Sequence, residues 1–147
     1  MLQCLNLLTK TMTKKNNRFS DWEYPDVNEG SLTKYNWVVQ NIEGFELGYK
    51  TDIGSFTYIN AKCGVVIADN VQIGSHCAIY SISTIDDTYG KIVFETNSRL
   101  GSHSTVLPGV TVGENSIIGA HSLVKTNIPS GVVAYGVPAK IIKLLDE

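Results

Sequence analysis

FETNSR-LGSHST-VLPGVT-VGENSI-IGAHSL-VK, residues 94–125, falls into blocks of six. An apolar residue opens each block: Phe94, Leu100, Val106, Val112, Ile118 and Val124. Four places later comes a residue that is small in most blocks: Ser98, Ser104, Val110, Ser116, Ser122. An amphipathic helix would repeat near 3.6 and a half-buried strand at 2, so neither period accounts for the pattern. A sustained period of six marks a β-solenoid, in which each block is one short strand and one turn. Three blocks close one coil, so residues eighteen apart stack.

Outward from this stretch the same ruler is found at Leu47, Ile53 and Ile59, slips by two, and resumes at Ile67, Ile73 and Ile79. It breaks between Ile85 and Val93, where DDTYGKI intervenes. Leu100 lies twenty-seven residues beyond Ile73, one coil of eighteen plus nine. A solenoid absorbs an insertion by extruding it, so a loop of roughly nine residues is expected around Ser83–Ile92. Loops on a rigid scaffold commonly carry function. Residues 1–30 have no periodicity and read as a flexible or capping lead-in, with Trp22 and Tyr24 candidates to cover the first coil. Residues 31–128 form the solenoid, YNWVVQNI being strand-like, and 129–147 an extended tail or one ending in a short capping helix over AKIIKLLDE.

Composition excludes several classes. Of 147 residues, 18% are charged and the net charge is −2, and the few Lys and Arg form no basic run. No nucleic-acid partner is expected. The apolar run Leu5–Leu8 is far shorter than a membrane span of about 20 residues, and it lacks the flanks of a signal peptide. Met12 is an alternative start, with residues 1–11 an extension. Cys4, Cys63 and Cys77 have no CxxC spacing and an odd count, which argues for core thiols and a cytoplasmic compartment.

All three histidines occupy one place in the block: His76 in IGSH, His103 in LGSH, His121 in IGAH. With the insertion removed they are eighteen apart, so they should stack about 4.8 Å from one another. Three readings stand. The corner tolerates exposed polar residues; or the column binds zinc, although a straight column converges poorly and no carboxylate or thiolate sits at ligand spacing. In the third, one histidine beside the loop and near a neighbouring subunit is a general base.

The run LGSHSTVLPGVTVGENSIIGAHSLVKTNIPSGVVAYGVPAKII resembles the hexapeptide-repeat acyltransferases, above all galactoside and maltose O-acetyltransferases and the sugar acetyltransferases of surface-polysaccharide biosynthesis. The resemblance covers about residues 45–143. It implies an all-β, left-handed parallel β-helix, a homotrimer, and acetyl-CoA as acyl donor in the cleft between prisms, with no metal. It places cofactor contacts on Ser102, Ala120, Lys125 and Thr126, and phosphate-facing charge on Lys140 and Lys143. TYINAKC resembles a YxNxxC motif whose Asn lines the acceptor site, which points to Asn60 as a donor to the thioester oxygen. In the O-acetyltransferases a catalytic His follows a segment matching Ile79–Ile85; here that place is held by Thr84.

A sugar hydroxyl needs a base far more than a sugar amine does. The acceptor expected is therefore an amino sugar, nucleotide-linked by first preference, with O-acetylation of a sugar the alternative. A carbonic-anhydrase-like zinc enzyme and a non-catalytic solenoid are the remaining readings. His76 is the expected base and His103 the second candidate. Tyr80, Thr84, Asp86 and Asp87 are the expected acceptor contacts, with Tyr89 also in the loop.

Overall fold

A computed structural model describes residues 19–146, in which the blocks of six become the sides of a parallel β-solenoid of about five turns. The first turn is β1 (Val38–Gln40), β2 (Phe45–Leu47) and β3 (Asp52–Ile53); the second is β4 (Tyr58–Asn60), β5 (Val65–Ile67) and β6 (Gln72–Ile73). The third begins with β7 (Ala78–Tyr80), leaves as a hairpin of β8 (Ile82–Ser83) and β9 (Thr88–Tyr89), and returns through β10 (Ile92–Phe94) and β11 (Arg99–Leu100). The fourth is β12 (Thr105–Val106), β13 (Thr111–Val112) and β14 (Ile117–Ile118). The fifth holds β15 (Leu123–Val124), a bridge of Ile128 to Val112, and β16 (Val132–Gly136); β17 (Ala139–Leu144) then folds back.

Three parallel sheets result. The first face is β1-β4-β7-β12-β15, the second β2-β5-β10-β13, and the third β3-β6-β11-β14-β16-β17. The block openers from Phe94 to Val124 are all buried, as are Ile53, Ile59, Ile67, Ile73 and Ile79. Each such burial contributes roughly 1.5–3 kcal/mol, so the stack of openers is the core. The residues four places on (Ser98, Ser104, Val110, Ser116, Ser122) are buried too, at the corners where coils sit directly on one another. Trp37 stands at that corner position in the first turn, where no full coil lies beneath, and its ring fills the end of the prism beside Phe45.

The glycine after many openers has a steric cause. A Cβ on Gly101 would run into the backbone of Ala120, and one on Gly74 into that of Ser102. Adjacent coils approach too closely there for a side chain.

Pairing of Leu100 with Ile73 confirms one coil plus nine inserted residues. The slip of two has the same location. Val38 to Glu46 and Tyr58 to Val66 are each eight residues, Ala78 to Val93 fifteen, and Thr105 to Thr111 six, each pair of columns lying in register. Every departure from eighteen in these turns therefore falls at the corner between the first and second faces.

Of the short helix and the extended tail expected, the extended form is found. Ala139–Leu144 is a strand antiparallel to β16, joined by a turn at Val137–Pro138. The last coil leaves unpaired backbone N–H and C=O groups, which a strand can bond and a helix of this length cannot; so short a helix is also marginal by itself. Of the lead-in, residues 19–30 are described, and Trp22 donates from Nε1 to the Thr51 carbonyl at 2.8 Å while meeting Tyr24 and Tyr49 edge-on. The rest of it, with Cys4 and Met12, lies outside the described residues. No helix among the described residues is long and apolar enough to cross a membrane.

Candidate active site

At the corner between the third and first faces each turn passes through one residue in the left-handed region: Asn36, Phe56, His76, His103 and His121, with φ between 56° and 63°. Asn and His enter this region more readily than bulky side chains do. From Phe56 onward each backbone N–H is bonded to the coil below, that of His76 to Ser55, His103 to Ser75 and His121 to Ser102 at 3.0 Å. The side chains therefore point out in line. The rings of His76 and His103 are 4.8 Å apart and those of His103 and His121 5.0 Å, both pairs 6° from parallel. Below them the Phe56 ring lies 5.3 Å from His76, tilted by 47°.

Near-parallel rings hold their N–H groups in parallel planes, so neighbours do not hydrogen-bond and the column is no proton wire. Nor do the rings converge on a common point. Among the described residues no group of three or more His, Cys, Asp or Glu is placed to hold a metal ion.

The opposite edge of the first face carries a polar network. Gln40, Asn60 and Tyr80 occupy one column in register. Asn60 Oδ1 accepts from Asn41 Nδ2 at 3.0 Å and from the Lys62 N–H at 3.1 Å. Tyr58 donates its hydroxyl proton to Gln40 and packs 5.6 Å from Tyr80. Partial burial raises the Tyr58 phenol, a hydrogen bond from Asn60 opposes this, and Tyr80 and Glu29 add to the rise. The Glu29 carboxylate accepts the N–H groups of Asn41 and Ile42 at 2.8 and 2.9 Å, and these bonds, Ile42's foremost, hold it below the usual carboxylate range. An open pocket of about 440 Å³ lies here, lined by Glu29, Asn41, Ile42, Glu43, Gly44 and Lys62. Sequence reasoning named Asn60 and Tyr80 and missed Gln40 and Tyr58. The signal was the repeated placement in VVQN, YINA and AIYS.

From the same edge the hairpin projects, its base closed by Gly90 N–H to Ser81 O at 2.9 Å. Asp86 accepts from Thr88 Oγ1 at 2.9 Å, and the hydroxyl of Ser83 first, then that of Thr88, keeps its carboxyl below the ordinary range. Thr84, Asp86, Asp87 and Tyr89 are exposed, and Ile85 at the tip is 98% exposed.

The turns just described coincide with a known repeat: residues 91–126 match the bacterial transferase hexapeptide family, six repeats. Over these residues the chain carries the hexapeptide repeat of that transferase family. It is 34% identical to the galactoside O-acetyltransferase of Escherichia coli K12, with 70% of this chain and 58% of that one covered. For the galactoside O-acetyltransferase of Lactococcus lactis the identity is 33%, with 68% and 56% covered. A solved galactoside acetyltransferase in complex with coenzyme A superposes with TM-score 0.70 at 27% identity, covering 82% of this chain and 64% of that one. This hexapeptide-repeat chain thus spans less than three-fifths of the curated relatives' lengths.

Within one hexapeptide-repeat chain the expected site residues do not meet. Ser102 and Ala120 immediately precede His103 and His121 on the histidine edge. Lys125 and Thr126 follow β15 on the hairpin edge, with Asn60, Tyr80, Thr84, Asp86 and Asp87. Lys140 and Lys143 are exposed on β17 at the margin of the third face. His76 precedes β7 and the hairpin follows it, so the histidine expected beside the loop stands across the strand from it, three residues or about 10 Å of rise. Phe56 was not anticipated, although it holds in IGSF the place that histidine holds in IGSH.

Proposed function

We propose that this protein is an acetyl-CoA-dependent acetyltransferase that works as a homotrimer and transfers the acetyl group to an amino sugar. The observation that carries this reading is the division of the site residues between two edges of the first face, in a chain related to galactoside O-acetyltransferases. A groove between two prisms would join the histidine edge of one chain to the Asn60 and hairpin edge of the next. The donor would lie along Ser102 and Ala120, with Lys125, Thr126, Lys140 and Lys143 supplying polar contacts and positive charge. Lysine gives that charge without the bidentate geometry of arginine.

In the proposed reaction the neutral amine attacks the thioester carbonyl carbon and a C–N bond forms. His76 takes the proton that the nitrogen sheds. Asn60, whose Oδ1 is already engaged, has amide N–H to give to the developing oxyanion. As the intermediate collapses the C–S bond breaks and the imidazolium returns the proton to sulfur, so acetyl amide and thiol are the products. Asp86, Asp87, Thr84 and Tyr80 would contact the acceptor.

Thr84 favours nitrogen over oxygen as the nucleophile, because a hydroxyl needs the base that this position lacks. The favoured acceptor is nucleotide-linked and belongs to surface-polysaccharide synthesis in the cytoplasm. The O-acetyltransferase relatives favour the second reading, a sugar hydroxyl. The purified protein assayed with acetyl-CoA against paired amino-sugar and hydroxyl acceptors separates the two. Turnover of neither, with no coenzyme A binding in a thermal-shift titration, overturns the assignment. Light scattering at the mass of one chain would sink the trimer.

A further inference from the structure

Phe56 is out of place by ordinary criteria. Its φ of 63° puts a bulky side chain in the left-handed region, and the residue is 59% exposed. The corresponding positions at the other left-handed corner are Lys50, Asn70, Asn97, Asn115 and Gly131, mostly residues that tolerate that backbone. Neither burial nor conformational preference accounts for a phenylalanine here. An outlier of this kind, maintained at the edge of a site, points to a role in that site.

What the ring touches is His76. The Phe56 ring lies 5.3 Å from that imidazole on one side, tilted by 47°, and His103 stacks on the other side at 4.8 Å. His103 lies between two imidazoles, whereas His76 is bounded on one side by a ring that cannot ionise or donate a proton. We propose that Phe56 is a positioning residue for His76: it is the floor that fixes the plane of the imidazole, so that the ring nitrogens face the neighbouring groove. The proposal rests on His76 being the base, and it adds a residue that acts on the reaction only through that histidine. Small errors in the placement of a catalytic group are costly in rate, which gives such a floor its value.

The test uses Phe56→Asn, which removes the ring and installs a side chain that suits the left-handed backbone. The full-length variant is expected to melt at or above the wild-type temperature. With acetyl-CoA and the amino-sugar acceptor that the paired assay selects, kcat should fall about tenfold while KM for acetyl-CoA holds. Phe56→Tyr, which restores a ring, should recover the rate. In the His76→Ala background, Phe56→Asn should cost nothing further. Full additivity in that double variant, or a wild-type kcat in Phe56→Asn, overturns the proposal.

A second measurement is independent of activity. The chain has three histidines, so their imidazole C–H signals can be assigned by single replacement. Phe56→Asn should shift the His76 signal through the lost ring current and leave that of His121 in place; an unmoved His76 signal also overturns the proposal. If His76→Ala keeps the wild-type rate, the base assignment fails by itself, and the spectra still decide whether Phe56 orients the ring.

Discussion

The imidazoles of His76 and His103 lie face to face, 4.8 Å between centroids and 6° from parallel. That arrangement makes them unequal. His103 has an imidazole on both faces, whereas His76 has an imidazole on one side and the Phe56 ring on the other. In the proposed reaction His76 is the base. His76→Ala is expected to lower turnover about 10²-fold or more, and His103→Ala far less. Steady-state kinetics on the two variants decides this, and the reverse order transfers the role to His103.

Lys140 and Lys143 stand exposed along β17. If they approach the phosphates of the donor, replacing either by Ala should raise KM for acetyl-CoA several-fold at low salt and leave kcat near wild type. The difference should shrink as ionic strength rises, since exposed charges are screened. A KM that does not respond removes β17 from the cofactor site.

Gly101 tests the solenoid itself. Because an added Cβ meets the Ala120 backbone, Gly101→Ala should destabilise the fold by about 1–3 kcal/mol or more, the range for overpacking. Thermal melts would show it. Gly109, which has open space around its Cβ direction but a φ of 83°, should respond through backbone strain instead.

Glu29 ties the lead-in to the first turn through the N–H groups of Asn41 and Ile42, and its folded pKa is depressed. For a depressed carboxylate the stabilisation is fully present above the unfolded pKa and is lost as pH falls through the folded one. The melting temperature of wild type should exceed that of Glu29→Gln by a constant margin near neutrality. The margin should close only below the usual carboxylate range. A margin that instead grows with acid would contradict the sign.

The solenoid was legible because the blocks repeat steric demands that sequence records: a core residue in each, in many a glycine where coils touch, and in most a small residue at the corner. His76, His103 and His121 could be aligned by counting alone, since stacking in a solenoid is a matter of register. What counting could not supply is which corner faces which. Block position is the same for His76 and for Phe56, yet only the fold shows the hairpin across the first face from both. The tail was ambiguous for another reason: AKIIKLLDE has no periodicity strong enough to choose helix over strand, and the unpaired edge of β16 made the choice. Glu29 and Asn41 left no trace in the repeat because they lie where the ruler has not settled.

The corner between the first and second faces takes two extra residues in the lower turns and nine in the third, while pairing on the faces beside it stays in register. Chain length and prism geometry are thereby uncoupled at one seam. An ancestor could lengthen, shorten or exchange the hairpin while the strands of the three faces kept their register. A laboratory can do the same: if the hairpin contacts the acceptor as proposed, transplanting the segment between Ser81 and Ile92 from a relative would alter acceptor choice with the scaffold held constant.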